Sequence, residues 1–114
     1  MDITLKTIDS CDVVTIKDRI DSYTSPSLSD KLNELTSQNR FQIILDLHDV
    51  NFVSSAGLRV FIDTQKRCKK NNQGEVLLVN VSQRVYDTLE LAGFAPLFKF
   101  FTNVESAIEA FRPL

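Results

Sequence analysis

Two runs of this sequence are apolar at neighbouring rather than alternating positions. Residues 41–45 carry Ile43, Ile44 and Leu45 in succession, and residues 76–79 read Val-Leu-Leu-Val. A strand with one face in water alternates apolar and polar side chains. A strand that is apolar at consecutive positions has both faces covered, as the inner strands of a parallel sheet do. Parallel neighbours need a crossover, and the segment between the runs supplies one. Leu58, Phe61, Ile62, Gln65 and Cys68 fall on one face at helical spacing, Lys69 and Lys70 close the pattern, and residues 71–74 make a turn. A strand–helix–strand unit of this kind commits the chain to an α/β layer structure.

The flanking segments extend the pattern. Residues 3–8 alternate through Ile3, Leu5 and Ile8, Asp9-Ser10 interrupts, and the β-branched residues 13–16 resume, which predicts a hairpin. Ser25 before Pro26 reads as a helix cap with proline at the first helical position, ahead of Leu28, Leu32 and Leu35. The strand that begins at Phe41 is expected to end at Asp46. Ser82 can cap a helix bearing Val85, Leu89 and Ala92, with Gly93 suited to the left-handed residue past its end. Residues 97–101 read as a last strand. Thr102 with Glu105 reads as a capping box for a final helix carrying Val104, Ile108 and Phe111. The expected order is β-β-α-β-α-β-α-β-α. It describes one α/β domain over residues 1–114, with a mixed, mostly parallel sheet of about five strands and four helices. Periodicity does not say whether the helices cover one face of the sheet or both.

Composition narrows the function classes. At 114 residues, 43% of them hydrophobic, the chain can bury a core without disulfide or metal staples. A formal net charge of -2 argues against nucleic acid, whose binders carry a basic face. The basic run Lys66, Arg67, Lys69 and Lys70 reads as a solvated helix end complementing the dipole. No window is long and apolar enough for membrane insertion, and no leader is visible, so the expected location is cytoplasmic. Cys11 and Cys68 show no pairing pattern and are expected as reduced thiols.

Catalytic constellations are lacking in the sequence. The three glycines, Gly57, Gly74 and Gly93, cannot form either phosphate-cradling loop, GxxxxGK[ST] or GxGxxG. His48 is the single histidine and is expected in a surface loop, which leaves no Ser-His-Asp arrangement and a poor zinc set. The carboxylate pairs Asp46 with Asp49 and Asp18 with Asp21 read as loop solvation and capping. No enzyme activity, cofactor or metal is expected.

The informative stretch is residues 46–60, DLHDVNFVSSAGLRV. A buried strand ends, a loop turns Val50, Phe52 and Val53 inward, and Ser54-Ser55-Ala56-Gly57 opens a helix at the carboxyl edge of the sheet. That edge is where open α/β folds bind ligands and partners. Ser54 fits the cap, so Ser55 is a second serine that capping does not need. A phosphate on Ser55 would meet the positive end of the helix dipole. Gly57 weakens a helix relative to alanine; close approach of another protein, or close internal packing, would each justify it.

These residues resemble the signature of the STAS family, the bacterial anti-sigma factor antagonists. Asp46-Leu47, then Val50-Asn51-Phe52-Val53, then Ser54-Ser55-Ala56-Gly57-Leu58 match the family's strand end, apolar loop and serine-glycine helix start. The loop at residues 21–26 and the segments 89–94, 97–101 and 104–107 extend the likeness over nearly the whole chain. Ser54 stands where many relatives carry Asp before the phosphoacceptor, and Ala56 where serine is common. Asp18 or Arg19 replaces the family's glycine after the second strand. Aligned on Gly57, the resemblance implies phosphorylation at Ser55, with Ser54 as a rival. It also implies a partner-binding face of Asp21, Thr24, Ser25, Ser54, Ser55, Gly57 and Leu58. The implied partners are an anti-sigma factor serine kinase and a PP2C-type phosphatase.

Two other readings compete. A STAS domain can serve as a non-phosphorylated scaffold or regulatory subunit of a transporter or stress-signalling complex. A receiver-type or flavodoxin-type α/β protein would need an acidic pair after the first strand, and none lies there.

Overall fold

The computed structural model describes residues 1–113. Strand β1 (Asp2–Ile8) and strand β2 (Cys11–Lys17) form the expected antiparallel hairpin, with Ile8 paired to Cys11 and Asp9 taking a positive φ of 55° in the tight turn. Helix α1 (Ser25–Ser37), strand β3 (Gln42–Asp49), helix α2 (Ser55–Lys69), strand β4 (Glu75–Val79), helix α3 (Gln83–Leu91), strand β5 (Lys99–Phe101) and helix α4 (Val104–Phe111) follow. The five strands lie side by side in chain order, antiparallel between β1 and β2 and parallel from β2 to β5.

The consecutive apolar positions have the predicted cause. Val14, Ile16, Ile43, Leu45, Leu47, Val76 and Leu78 face a core completed by Leu28, Leu32 and Leu35 of α1, Leu58, Phe61 and Cys68 of α2, and Val85 and Leu89 of α3. Val13, Ile44, Leu77 and Val79 face the other way, against Ala107 and Ile108 of α4. Three helices therefore cover one face and a single short helix the other. β1 is an edge strand, and its Leu5 is left 41% exposed. Gln65, on the apolar face of α2, is buried because its amide bridges backbone. Oε1 accepts from Val76 N–H at 2.7 Å, and Nε2 donates to the carbonyls of Val76 and Leu97.

Several boundaries differ from expectation. β3 runs to Asp49 rather than stopping at Asp46, because its backbone keeps pairing with β2 beyond an irregularity, where Lys17 faces Asp49. His48 therefore lies in that strand end, not in a loop. The cap of α1 is Thr24, not Ser25, and the cap of α4 is Asn103, whose side chain accepts from Ser106 N–H at 2.8 Å. Thr102 with Glu105 is not the capping box. The last strand keeps only three residues, since Ala95–Leu97 close a 3-10 turn around Pro96. Ser82 caps α3 as expected. Gly93, at φ 80°, ends that helix with Phe94 N–H on Leu89 O and Gly93 N–H on Glu90 O, a Schellman arrangement. Ala92 is the exposed C-cap rather than part of the apolar face.

Candidate functional site

Pairing continues past the ends of β2 and β3 and builds the site. Asp18 takes φ 74°, a left-handed conformation that glycine adopts more easily, and its N–H donates to Asp49 O. Ile20 N–H then donates to Phe52 O at 3.0 Å, and Ser54 N–H to Ile20 O at 2.8 Å, with Ile20 and Val53 bridged in parallel. The loop after β2 and the start of α2 are thereby tied together at the carboxyl edge of the sheet.

The two serines divide as their order suggests. Ser54 is the N-cap of α2: its backbone is extended, and its Oγ accepts from Gly57 N–H at 3.3 Å. Ser55, the first helical residue, is exposed. No acidic residue occupies the first turn, so nothing there offsets the positive end of the dipole.

Asp21 holds the facing loop in shape. Its Oδ1 accepts from Tyr23 N–H at 2.9 Å and Thr24 N–H at 3.1 Å, while Thr24 Oγ1 accepts from Asp21 N–H at 2.8 Å. Arg19 Nε lies 3.1 Å from Asp21 Oδ2. The Thr24 N–H is the chief cause that holds the Asp21 carboxyl below its ordinary range; Tyr23 N–H, the Thr24 hydroxyl and Arg19 add to it. Asp21 and Thr24 are partly exposed. Ser25 is buried, with its hydroxyl donating to Asp21 O.

Gly57 and Leu58 are buried as well. A Cβ on Gly57 would stand 2.6 Å from Ile20 Cγ2 and 2.8 Å from Val53 Cγ1. Close internal packing therefore accounts for this glycine. Of the seven residues grouped in the sequence, Asp21, Thr24, Ser54 and Ser55 reach the surface, while Ser25, Gly57 and Leu58 support it from beneath.

Two other exposed groups here, Tyr23 and Arg84, were not singled out in the sequence, and Phe52, expected to turn inward, is only half-buried. Tyr23 is 93% exposed beside the Asp21 turn. The guanidinium groups of Arg19 and Arg84 lie 4.6 and 5.7 Å from the ring centre of Phe52. Arg84 enters from α3, so only the packing of that helix could bring it to Phe52. His48 lies between two carboxylates, with Nδ1 3.0 Å from Asp46 Oδ1 and Nε2 3.1 Å from Asp49 Oδ2. Among the described residues no group of three His, Cys, Asp or Glu side chains is placed to hold a metal ion, and no helix is long and apolar enough to cross a membrane.

Comparison with known proteins agrees with this architecture. The STAS domain profile matches residues 2–107. The anti-sigma-B factor antagonist of Bacillus subtilis is 31% identical over 96 residues, which cover 84% of this chain and 86% of that protein. The anti-sigma-B factor antagonist of Listeria monocytogenes is 27% identical over 92 residues, 81% of this chain and 79% of that one. The Bacillus anti-sigma factor antagonist SpoIIAA, 18% identical, shares the fold in two solved forms. The TM-score is 0.85 for the unphosphorylated form, covering 99% of this chain and 98% of that one, and 0.77 for the phosphorylated form, covering 97% and 100%. With a profile match spanning all five strands and the serine-bearing start of α2, the chain belongs to the STAS domain family.

Proposed function

We propose that this protein is an anti-sigma factor antagonist that works by partner switching. Its unphosphorylated form binds an anti-sigma factor that is also a serine kinase, and so frees the sigma factor. The kinase moves the γ-phosphoryl group of ATP to Ser55 Oγ. The new O–P bond forms as the bond to ADP breaks, and the hydroxyl proton is released. The phosphorylated form lets go, and a PP2C-type phosphatase hydrolyses the phosphoserine to restore binding. In this reading the protein is a regulator rather than a catalyst and acts in the cytoplasm.

The observation that carries this reading is the division of labour at the start of α2: Ser54 is engaged as the cap, and Ser55 is exposed. The Bacillus subtilis and Listeria monocytogenes relatives bear the name anti-sigma-B factor antagonist, and SpoIIAA has been solved with and without its phosphate. A phosphate adds roughly -1.5 to -2 charge at pH 7. In a close interface a charge left without a partner costs several kcal/mol, and about 1.4 kcal/mol is a tenfold change in affinity. The switch needs no change of fold.

The test is binding to a cognate anti-sigma kinase by calorimetry. Ser55→Ala should bind like the unmodified chain and take up no phosphate. Ser55→Asp should bind at least about tenfold more weakly. Equal affinity for all three chains refutes the switch. Phosphate uptake that survives in Ser55→Ala and disappears in Ser54→Ala moves the acceptor to Ser54. No uptake by any chain favours the scaffold reading.

A further inference from the structure

We infer that Arg59 is the intramolecular partner of a phosphate on Ser55 and acts as a positioning residue of the switch, an inference that rests on the phosphorylation reading above. Ser55 and Arg59 are both exposed and line the same shallow cleft along α2. They stand four residues apart in a continuous helix, the spacing at which side chains on one face meet. The order is the favourable one for an ion pair, with the anion nearer the N-terminus and the cation one turn on.

Without the phosphate, Arg59 is poorly served. It forms no salt bridge among the described residues. It lies near the positive end of the helix dipole, in a helix with no acidic residue in its first turn. Asp63, one turn further along the cleft, is an acid on the unfavourable side of it. Lys66 lines the cleft too, but eleven residues beyond Ser55 it is about 16 Å away along the axis. The opposite wall, Ala92 and Phe94, brings no charge. Arg59 is therefore the cation of this cleft within one turn of Ser55.

The same spacing separates the two serines. Four residues beyond Ser54 stands the buried Leu58, and three beyond it the buried Gly57. A phosphate at 54 meets no cation on its own face of the helix, whereas a phosphate at 55 meets Arg59. Phosphorylation then does more than add charge. It fixes the phosphate against α2, so the phosphorylated state carries an oriented group, and the phosphatase must break an ion pair to reach it.

Phosphoserine placed at position 55 by amber suppression tests this without any kinase, so the result stands apart from whether a kinase partner exists. The probe is the second ionisation of the phosphate, followed by 31P NMR in the otherwise native chain and in Arg59→Gln. The midpoint should be lower in the native chain by about 0.15–0.4 unit, the size implied by one such helical ion pair. Arg59→Lys should recover part of the difference. Within the native chain, the Arg59 Nε–H resonance should move with the same midpoint as the phosphorus signal. Equal midpoints with and without the arginine overturn the inference, and so does an Arg59 resonance that stays still through the titration.

Discussion

Replacing Gly57 with alanine tests the packing that sets the position of Ser55. The added Cβ would lie 2.6 Å from Ile20 Cγ2 and 2.8 Å from Val53 Cγ1, where carbon atoms ordinarily rest about 3.5–4.0 Å apart. Neither neighbour yields easily. Ile20 is 0% and Val53 3% exposed, both are β-branched and stiff about χ1, and their backbones are bridged to each other. Overpacking of this kind costs about 1–3 kcal/mol. Alanine returns at most about 1 kcal/mol of helix propensity. With two stiff neighbours in the way the overpacking cost sits near the middle of its range, about 2 kcal/mol, and the expected net loss is about 1–2 kcal/mol. An unfolding entropy of about 2.1 cal/mol/K per residue over 114 residues gives about 0.24 kcal/mol/K, so the loss corresponds to a Tm lower by about 4–8 °C. Urea unfolding followed by circular dichroism should show a lower midpoint with an unchanged slope, and calorimetry should show the matching Tm. A variant as stable as the native chain, or more stable, would mean that the start of α2 tolerates a larger residue and that internal packing does not explain this glycine.

Ser54→Ala removes a cap hydroxyl and should cost about 1 kcal/mol in urea unfolding, whereas Ser55→Ala should stay within about 0.5 kcal/mol of native; equal losses would refute the division of roles between them. The Asp21 carboxyl has its pKa lowered in the folded state, chiefly by Thr24 N–H. Its contribution is thus complete above the unfolded value of 3.8 and is lost as pH falls through the lower folded value. The amide resonances of Tyr23 and Thr24 should titrate together below pH 3.8, and movement centred above that value contradicts the hydrogen-bonded turn. Burial pushes the Cys68 thiol up to about 11 and raises Cys11, which the carboxylates of Asp12 and Asp9 raise further. Neither thiol should react with an alkylating reagent at pH 8 until urea is added, whereas labelling of the native protein at the rate of a free thiol would contradict their burial.

Much of the fold was legible because local chemistry spelled it out. The consecutive apolar residues of β3 and β4, the serine caps of α2 and α3, and Gly93 after α3 each report a backbone need within a few residues. The misses have the opposite character. The continuation of β3 to Asp49 depends on Lys17, more than thirty residues earlier in the chain. Asn103 displaced Thr102 as the cap of α4 because the last strand and its exit turn fix where that helix begins, and either side chain could have served.

The sequence by itself determined the layer class, the order of elements and the pair of serines at a helix start, since hydrophobic period and capping chemistry are local properties. Tertiary structure alone decided which residues around those serines reach the surface. Contacts between the segments that follow β2 and β3 bury Gly57 against Ile20 and Val53 and bring the Asp21 turn beside Ser54, and the packing of α3 carries Arg84 onto Phe52. Exposure is a property of what packs against a residue, and those partners lie on other elements.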